Sequence, residues 1–148
     1  MRIYVGADHN GFALKQDLIT MLRKSGYEAF DEGDQELQPD DDFPQFAKQT
    51  VQALLNDDDR DARAILICGS GQGMCMAANR FKGIRASLVW DVAEARMARN
   101  DDDSNVLCLP ARVLKNTEEA ETIVNAWLAA PFAGATRFKR RIQELDEL

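Results

Sequence analysis

The sequence has very few of the residues that build metal sites and disulfide frameworks. It contains a single histidine, His9, and three cysteines, none of which forms a Cys-x-x-Cys pair. One histidine cannot form a histidine cage for a metal, and cysteines spaced in this way favour neither a zinc site nor a set of disulfides. We therefore expect no structural metal and no disulfide framework.

Long apolar runs and a cleavable leader are also absent. No stretch approaches the roughly 20 apolar residues that a helix needs to span a bilayer. Met1 leads directly into the apolar run 3–5 without a basic leader segment. These features predict a cytoplasmic protein that does not use a membrane as a partner.

Positive charge is in deficit. The formal net charge is -7, and runs of three aspartates lie at 40–42, 57–59 and 101–103. Because such a chain repels a phosphodiester backbone, nucleic acid is not expected as a partner. The 148 residues, 45% of them hydrophobic and 29% charged, fit one folded domain spanning 1–148.

Short apolar runs alternate with amphipathic segments of helical length along the chain. This alternation predicts a doubly wound, Rossmann-like α/β fold, in which an open five-stranded parallel sheet has helices on both faces. The expected strands are 3–7, 28–31, 64–68, 84–90 and 105–109. The expected helices are 11–25, 43–55, 73–81, 92–99, 118–129 and 136–148, with Thr117 as the N-cap of the fifth. Ligands of such folds bind beyond the carboxyl ends of the strands, where we expect three candidate clusters.

The first cluster follows the first strand, in the segment Gly6-Ala7-Asp8-His9-Asn10-Gly11-Phe12. An Asp-His pair at the tip of a buried strand has little packing reason to exist, so Asp8 and His9 are candidates for binding a hydroxyl and a phosphate. The alternative is that Asp8 caps the turn and His9 is an ordinary loop residue.

The second cluster is Ile65-Leu66-Ile67-Cys68-Gly69-Ser70-Gly71-Gln72-Gly73-Met74. Alternating Gly69, Gly71 and Gly73 let successive N–H groups face one point, which suits an anion or a developing oxyanion. The spacing is one residue short of the dinucleotide pattern G-x-G-x-x-G. Cys68 ends the strand ahead of a helix, where a thiol can act as base or nucleophile. It can equally be a small apolar residue that fills space.

The third cluster is Arg137-Phe138-Lys139-Arg140-Arg141 at the start of the last helix. Arg137 and Arg141 are four residues apart and share one helical face, and two guanidinium groups on one face suit a phosphate. A solvated basic face is the alternative. Basic residues at the positive end of a helix dipole favour an anionic partner in a chain this acidic.

Taken together, the three clusters resemble the ribose-5-phosphate isomerase B and galactose-6-phosphate isomerase family. The resemblance runs from Met1 to about Leu145 without a sizeable gap. Besides the clusters, the matching segments are Asp42-Phe43-Pro44, Ala77-Ala78-Asn79, Gly83-Ile84-Arg85-Ala86, Ala95-Arg96-Met97-Ala98-Arg99 and Asn105-Val106-Leu107-Cys108-Leu109-Pro110-Ala111-Arg112-Val113.

The resemblance implies a five-stranded parallel sheet in a homodimer or homotetramer, with an active site shared between two subunits and with neither metal nor cofactor. It implies an aldose-ketose isomerase that acts on a phosphorylated sugar, with ribose 5-phosphate and ribulose 5-phosphate as the leading pair. A base removes the proton beside the carbonyl, a cis-enediolate forms, and the base returns the proton to the neighbouring carbon.

Roles for individual residues also follow from the resemblance. Cys68 is expected to be the base, and Ser70 with the amides of 69–73 is expected to hold the enediolate oxygens. Asp8 is expected to contact substrate hydroxyls. The phosphate is expected to bind a set of basic residues, at least one of them from the neighbouring subunit: His9, Arg112, Arg137 and Arg141. The helix 136–148 would thereby complete the phosphate site.

One stretch departs from the family pattern. Members commonly carry His-Asn-Asp ahead of the last strand, and the histidine is thought to open the sugar ring. Here Asp101 takes the place of that histidine and Asp102 the place of the asparagine. Asp101 is therefore the candidate ring-opening acid and Asp102 a candidate substrate contact, although an aspartate is a poor acid unless burial or a like charge raises its pKa. A smaller departure is Phe43, where a tyrosine is common.

These departures leave two alternatives beside the pentose phosphate. The chain could act on a tetrose 4-phosphate or a hexose 6-phosphate, and erythrose 4-phosphate needs no ring-opening acid because its O4 is blocked. The chain could also bind a sugar phosphate without catalysis, which Asp101 and Asp102 favour and the intact Cys68 and Ser70 oppose.

Overall fold

The structure, a computed structural model that describes residues 1–148, contains five strands and six helices. The strands are β1 (Arg2–Ala7), β2 (Glu28–Asp31), β3 (Arg63–Cys68), β4 (Ala86–Leu88) and β5 (Val106–Pro110). The helices are α1 (Phe12–Lys24), α2 (Phe43–Leu55), α3 (Gln72–Ala78), α4 (Val92–Asn100), α5 (Thr117–Ala129) and α6 (Thr136–Asp146). None of the six helices has the length and hydropathy to cross a bilayer.

All five strands are parallel and form one sheet in the order β2-β1-β3-β5-β4. The central strands β1, β3 and β5 end at nearly the same level, because Ala7 pairs with Ile67 and Cys68 pairs with Pro110. The expected five-stranded parallel α/β fold is confirmed. We call the edge where the strands end the carboxyl edge, and the opposite edge the amino edge.

Apolar side chains fill both faces of the sheet. On one face α1, α4 and α5 cover the larger cluster, in which Trp127 is fully buried and donates its indole N–H to the Ser104 hydroxyl at 2.8 Å. On the other face α2 and α3 cover a smaller cluster that contains Cys68 and Cys108. Helices on both faces explain why β3 and β5 are apolar at nearly every position.

β4 is shorter than expected, and α3 ends earlier than expected. The Asn79 side chain lies at the junction of the two elements, where its Nδ2 donates to the carbonyls of Cys75 and Ala86 and its Oδ1 accepts from the Ala86 N–H. The Arg85 N–H is likewise taken by the side chain of Asn105. Side-chain amides thus replace the backbone partners that would have extended the helix and the strand.

The N-cap of α5 is Asn116, so the assignment of Thr117 was wrong by one residue. The Asn116 side chain accepts from the Glu119 N–H at 2.9 Å, and the Glu119 carboxylate accepts from the Lys115 N–H at 2.7 Å. This exchange resembles a capping box, in which an N-cap side chain and an acidic residue three positions later satisfy the free amides of the first turn.

A fully buried lysine fixes the start of the segment between β2 and α2. Lys15 Nζ donates to Asp31 Oδ1 and to the Asp34 carbonyl, both at 2.6 Å, and the Lys15 side chain is 0% exposed. The ion pair ties α1 to the end of β2. Segment 32–42 therefore leaves the sheet from a fixed point at the carboxyl edge.

We expect Lys15→Met to destabilise the fold by about 3 kcal/mol, since it leaves the Asp31 carboxylate without its buried counter-ion. Urea unfolding measures the change. Lys24→Met, on the exposed end of the same helix, is the matched control and should cost less than about 0.5 kcal/mol. Equal losses for the two variants would show that the buried ion pair does not hold this segment.

Candidate active site

The segments that follow β1, β3 and β5 meet at the carboxyl edge because these three strands are neighbours. The Asp8 N–H donates to the Ile67 carbonyl at 3.3 Å, and the Ala111 N–H donates to the Cys68 carbonyl at 2.9 Å. The backbone beyond β1 and β5 is thus joined to the last turn of β3. The fold brings Asp8, His9, Cys68 and Arg112 to this one place.

Cys68 is the last residue of β3, and its side chain faces the turn that leads into α3. The residue is 5% exposed, and its Sγ accepts a hydrogen bond from the Gly71 N–H at 3.2 Å. Gly71 has a φ of 74°, in the left-handed region that favours glycine. Ser70 Oγ accepts from the Gln72 N–H at 3.4 Å. One backbone amide therefore contacts the sulfur, and the Ser70 hydroxyl lies in the same turn, an arrangement suited to stabilising negative charge on a reacting group.

Asp8 is buried and organises the turn between β1 and α1. Its Oδ1 accepts from the Asn10 N–H at 2.9 Å and from the Gly11 N–H at 3.2 Å. Asp8 therefore caps the turn through Oδ1, as the alternative interpretation of this residue predicted. Its other oxygen, Oδ2, has only a long contact of 3.4 Å with the Asn10 amide, so it retains the capacity to accept from a ligand hydroxyl.

Arg112 crosses the site between the turns of β1 and β3. Its Nη2 donates to Asn10 Oδ1 at 2.7 Å, and its backbone N–H donates to the Gly69 carbonyl at 3.0 Å. A side chain at Gly69 would place its Cβ 3.0 Å from the Arg112 Nε. A larger residue here would therefore push against the guanidinium, which lies close to the loop that follows Cys68.

His9 is half-buried, with Nδ1 2.6 Å from Asp41 Oδ1 and Nε2 2.8 Å from Asn10 Nδ2. The pKa of His9 is raised above its ordinary value of 6.5, chiefly by the hydrogen bond to the Asp41 carboxylate, while partial desolvation opposes the change. The raised pKa favours an imidazolium at this edge of the sheet. Arg112 provides positive charge against Gly69, and His9 adds to it when its ring is protonated.

The two aspartates that replace the family's His-Asn pair lie at the amino edge. Asp101 caps the end of α4, and Asp102 follows it ahead of β5. The pKa of Asp102 is raised by burial and by the Asp101 carboxylate, and Arg141 opposes this rise. Within one chain these carboxylates therefore lie at the opposite edge of the sheet from Cys68.

The terminal arginines also lie at the amino edge, which corrects the expectation that all three clusters share the carboxyl ends of the strands. The segment before α6 is bonded to the end of α4, where the Ala133 N–H donates to the Asn100 carbonyl at 3.0 Å. Arg137 lies 4.5 Å from the centre of the Phe138 ring. Neither Arg137 nor Arg141 forms an ion pair within the chain, whereas Arg140 approaches Glu144 at 3.7 Å. Both arginines are therefore available to an anion or to another chain.

A cavity of about 970 Å³ lies at the amino edge. It is bounded by the 79–87 segment, Asp102 and the end of α6 at 145–148. Cys68 does not line it. The candidate residues thus fall into two groups at opposite edges of the sheet. For brevity we call Cys68, Asp8, His9 and Arg112 the carboxyl half-site, and Asp101, Asp102, Arg137 and Arg141 the amino half-site.

The model of the Ribose/Galactose Isomerase family matches residues 3–145. The chain belongs to this family. The likeness suggested by the three clusters is thereby confirmed over almost the whole length of the chain.

Curated relatives and solved structures agree with this assignment. A probable ribose-5-phosphate isomerase B of Mycoplasma pneumoniae is 45% identical over 141 residues, which cover 93% of this chain and 89% of the relative. A ribose 5-phosphate isomerase of Thermotoga maritima superposes with a TM-score of 0.92 at 39% identity, covering 99% of this chain and 98% of that one. The ribose-5-phosphate isomerase B of Mycoplasma genitalium, solved with bound ribulose-5-phosphate, gives a TM-score of 0.93 at 36% identity, with coverage of 99% and 94%.

Three residues of the carboxyl half-site were not assigned a role from the sequence. Asn10 links His9 to Arg112 through its amide, and Asp41 holds the other side of the His9 ring. The Phe43 ring lies over Gly73, close enough that a Cβ there would be 2.8 Å from it. The alternating glycines had indicated an anion-binding turn but not this contact with a ring, and an aspartate within an acid run carried no signal of its own.

The remaining cysteines lie behind Cys68 on the same face of the sheet. Burial raises the pKa of the Cys108 thiol well above its ordinary value, and a contact with Cys108 lowers the pKa of the Cys75 thiol. Cys75 Sγ also contacts the Ala86 carbonyl at 3.3 Å. Both thiols thus pack in the second core cluster and are not part of the carboxyl half-site.

Gly11 lets the turn after β1 pack directly against β3, and we expect Gly11→Ala to push this turn away from β3. A Cβ at Gly11 would lie 2.6 Å from the Ile67 carbonyl oxygen, which belongs to rigid strand backbone. The variant should lose about 1–3 kcal/mol of stability in urea unfolding and should lose isomerase activity as Asp8 and His9 move. Gly26→Ala is the control, since its φ of 86° is strained but nothing lies within 4 Å. A smaller loss for Gly11→Ala than for Gly26→Ala would contradict the packing argument.

Proposed function

We propose that the chain is an aldose-ketose isomerase that interconverts ribose 5-phosphate and ribulose 5-phosphate. The observation that carries the proposal is the buried Cys68 sulfur, which faces the Gly71 amide at the carboxyl edge beside the basic side chains of His9 and Arg112. Relatives of 36–45% identity bear the name of this activity, and the Mycoplasma genitalium structure holds ribulose-5-phosphate.

Proton transfer is the chemistry that suits Cys68. As a thiolate it takes the proton from the carbon beside the carbonyl, and the electron pair of the C–H bond moves to form the enediolate. The amides of 69–73 and the Ser70 hydroxyl stabilise the negative oxygen. A proton then moves from the hydroxyl on the neighbouring carbon to the negative oxygen, so that the negative charge moves to the second oxygen. The thiol returns its proton to the carbon that carried the original carbonyl, and the electron pair on the second oxygen forms the new carbonyl, which yields the other sugar and restores the thiolate. No electron acceptor is needed, because the carbonyl moves within one molecule.

The phosphate and the hydroxyls of the sugar need partners on both sides of the reacting carbons. On the carboxyl half-site, Asp8 Oδ2 is positioned to accept from a hydroxyl, and His9 and Arg112 offer positive charge. On the amino half-site, Arg137 and Arg141 lack ion-pair partners within the chain. A dianionic phosphate suits these unpaired guanidinium groups, because charge-assisted hydrogen bonds are the strongest that proteins make.

The two half-sites lie at opposite edges of one sheet, so a complete site requires a second copy of the chain. In a two-fold symmetric dimer, the amino half-site of one copy faces the carboxyl half-site of the other, and the reverse contact forms a second site. The helix α6 and Asp101 and Asp102 would reach the substrate in this way. We propose a homodimer, alone or within a homotetramer, as the active form.

Asp101 and Asp102 favour one alternative substrate. A furanose must open before its C2 proton can be removed, and a carboxylate in place of a histidine is a weaker source of the required proton. Erythrose 4-phosphate cannot close a five-membered ring and needs no such acid. A tetrose phosphate is therefore the second candidate substrate.

Mixing two inactive variants tests the base and the shared site together. We expect Cys68→Ala and Cys68→Ser each to lower kcat for ribose 5-phosphate by about 10³-fold or more, because neither provides an effective base. The double variant Arg137→Ala with Arg141→Ala should raise KM steeply through loss of phosphate contacts. An equimolar refolded mixture of Cys68→Ala and the arginine variant should recover about a quarter of the wild-type activity, since half of the dimers are mixed and each has one intact site.

The controls decide how a negative result is interpreted. Each variant refolded alone must stay inactive, and differently tagged chains must co-purify to demonstrate mixed dimers. Mixed dimers without recovered activity would show that the two half-sites do not act together. Substantial turnover by Cys68→Ala alone would remove Cys68 from the mechanism.

A substrate panel distinguishes the pentose phosphate from the tetrose phosphate. We expect the double change Asp101→His with Asp102→Asn to raise kcat for ribose 5-phosphate by about tenfold or more and to leave kcat for erythrose 4-phosphate nearly unchanged. The loss of two carboxylates also reduces repulsion of the dianion, but that effect appears in KM for both sugars. Equal gains in kcat for the two sugars would contradict ring opening as the reason, and the absence of any gain would place these aspartates outside the site.

A further inference from the structure

The only histidine of the chain is held on both sides. Its Nδ1 lies 2.6 Å from Asp41 Oδ1, and its Nε2 lies 2.8 Å from Asn10 Nδ2. The ring remains 32% exposed, so one face of it stays open at the carboxyl edge. The two contacts fix the orientation of the imidazole, and with it the direction in which Nε2 points.

Asp41 is built into this arrangement more firmly than a surface aspartate would be. Its side chain is 5% exposed, and its second oxygen, Oδ2, is buried without any hydrogen-bond partner. His9 is the only basic group within ion-pair distance of it. Because a buried carboxylate needs a counter-charge, His9 is the side chain that the Asp41 carboxylate holds most directly.

Asn10 determines which nitrogen of His9 carries a proton when no anion is present. Arg112 has only donors, so Asn10 must turn its Oδ1 toward Arg112 and its Nδ2 toward His9. Nε2 then accepts, and Nδ1–H donates to Asp41. An anion that engages Arg112 and displaces the Asn10 amide leaves Nε2 free to take up a proton and donate to the anion.

From this geometry we infer that Asp41 is a positioning residue of the phosphate site. It holds His9 with Nδ1–H toward its own carboxylate, directs Nε2 at the anion, and provides the counter-charge that lets His9 bind phosphate as an imidazolium. The inference rests on the proposed function for the identity of the anion, the phosphate of the sugar. It concerns a residue of the segment 32–42, outside the three clusters that carry the family resemblance.

The charges around His9 give the sign of the pH dependence. Asp41 and Asp8 raise its pKa, and Arg112 together with partial desolvation lowers it, with a net rise. The contribution of the imidazolium to phosphate binding is complete below the pKa of His9 and is lost as the pH rises through it. Removing the Asp41 charge lowers the upper limit of that pH range.

The test compares Asp41→Asn with Asp40→Asn, which removes the same charge from an exposed neighbour. Because His9 is the only histidine, its ring protons give an unambiguous NMR signal, and a pH titration reads its protonation directly. We expect the midpoint to fall in Asp41→Asn and to stay unchanged in Asp40→Asn. Asp41→Glu, which keeps the carboxylate, should restore most of the difference.

Calorimetry with inorganic phosphate provides the second measurement. Near pH 5.5 both variants should bind phosphate alike, whereas near pH 7.5 Asp41→Asn should bind about tenfold more weakly than Asp40→Asn, through loss of one charge-assisted hydrogen bond. The ionisation of phosphate itself cancels in the ratio of the two affinities.

Either of two results would overturn the inference. An unchanged His9 midpoint in Asp41→Asn would show that the carboxylate does not control the ring, and a lowered midpoint with unchanged phosphate affinity would show that His9 is not a phosphate ligand. If Asp41→Asn does not fold, Asp41→Glu still tests the inference. That variant must fold, and the titration midpoint of its His9 must match the wild-type value. Neither measurement uses isomerase turnover, so a failure here is distinguishable from failure of the proposed reaction.

Discussion

The parallel direction of all five strands is the constraint on which the rest of the structure depends. It brings the segments after β1, β3 and β5 to one edge, and it brings the segment before β5 to the other. Cys68 and Asp101 are therefore separated by the length of the sheet, whatever their side chains do. This separation is the reason for proposing that two copies of the chain together form one site.

Much of the carboxyl half-site was predictable because it depends on strand ends alone. An apolar run that stops at Cys68, followed by alternating glycines, predicts both the end of β3 and the turn into α3. The same reasoning applies to Asp8 and His9 after β1. Once the strands are known to be parallel, their carboxyl ends must coincide, and the register of Ala7 with Ile67 determines the level at which Asp8 meets Cys68.

The residues that could not be predicted depend on the paths of loops and on side-chain amides. Asp41 reaches His9 because the segment 32–42 starts from the Lys15 ion pair and returns over the carboxyl edge, and no periodicity describes such a path. Helical spacing placed Arg137 and Arg141 on one face but did not indicate which edge of the sheet α6 would occupy. The side-chain amide of Asn79, which bonds both backbone groups of Ala86 at the start of β4, was equally beyond the reach of a hydrophobic pattern.

A chain with a net charge of -7 must concentrate positive charge locally to attract a dianion. At each edge of the sheet, nearby carboxylates offset part of the positive charge. At the carboxyl edge the imidazole of His9 is balanced by Asp41, and at the amino edge Arg141 lies close enough to Asp102 to lower its pKa against the effect of burial. Each half-site is thus nearly neutral by itself, and a phosphate that meets both gains the free guanidinium groups of α6 together with the protonated imidazole. The electrostatics of a single chain therefore support the same proposal as its topology, namely that the anion is bound between two copies.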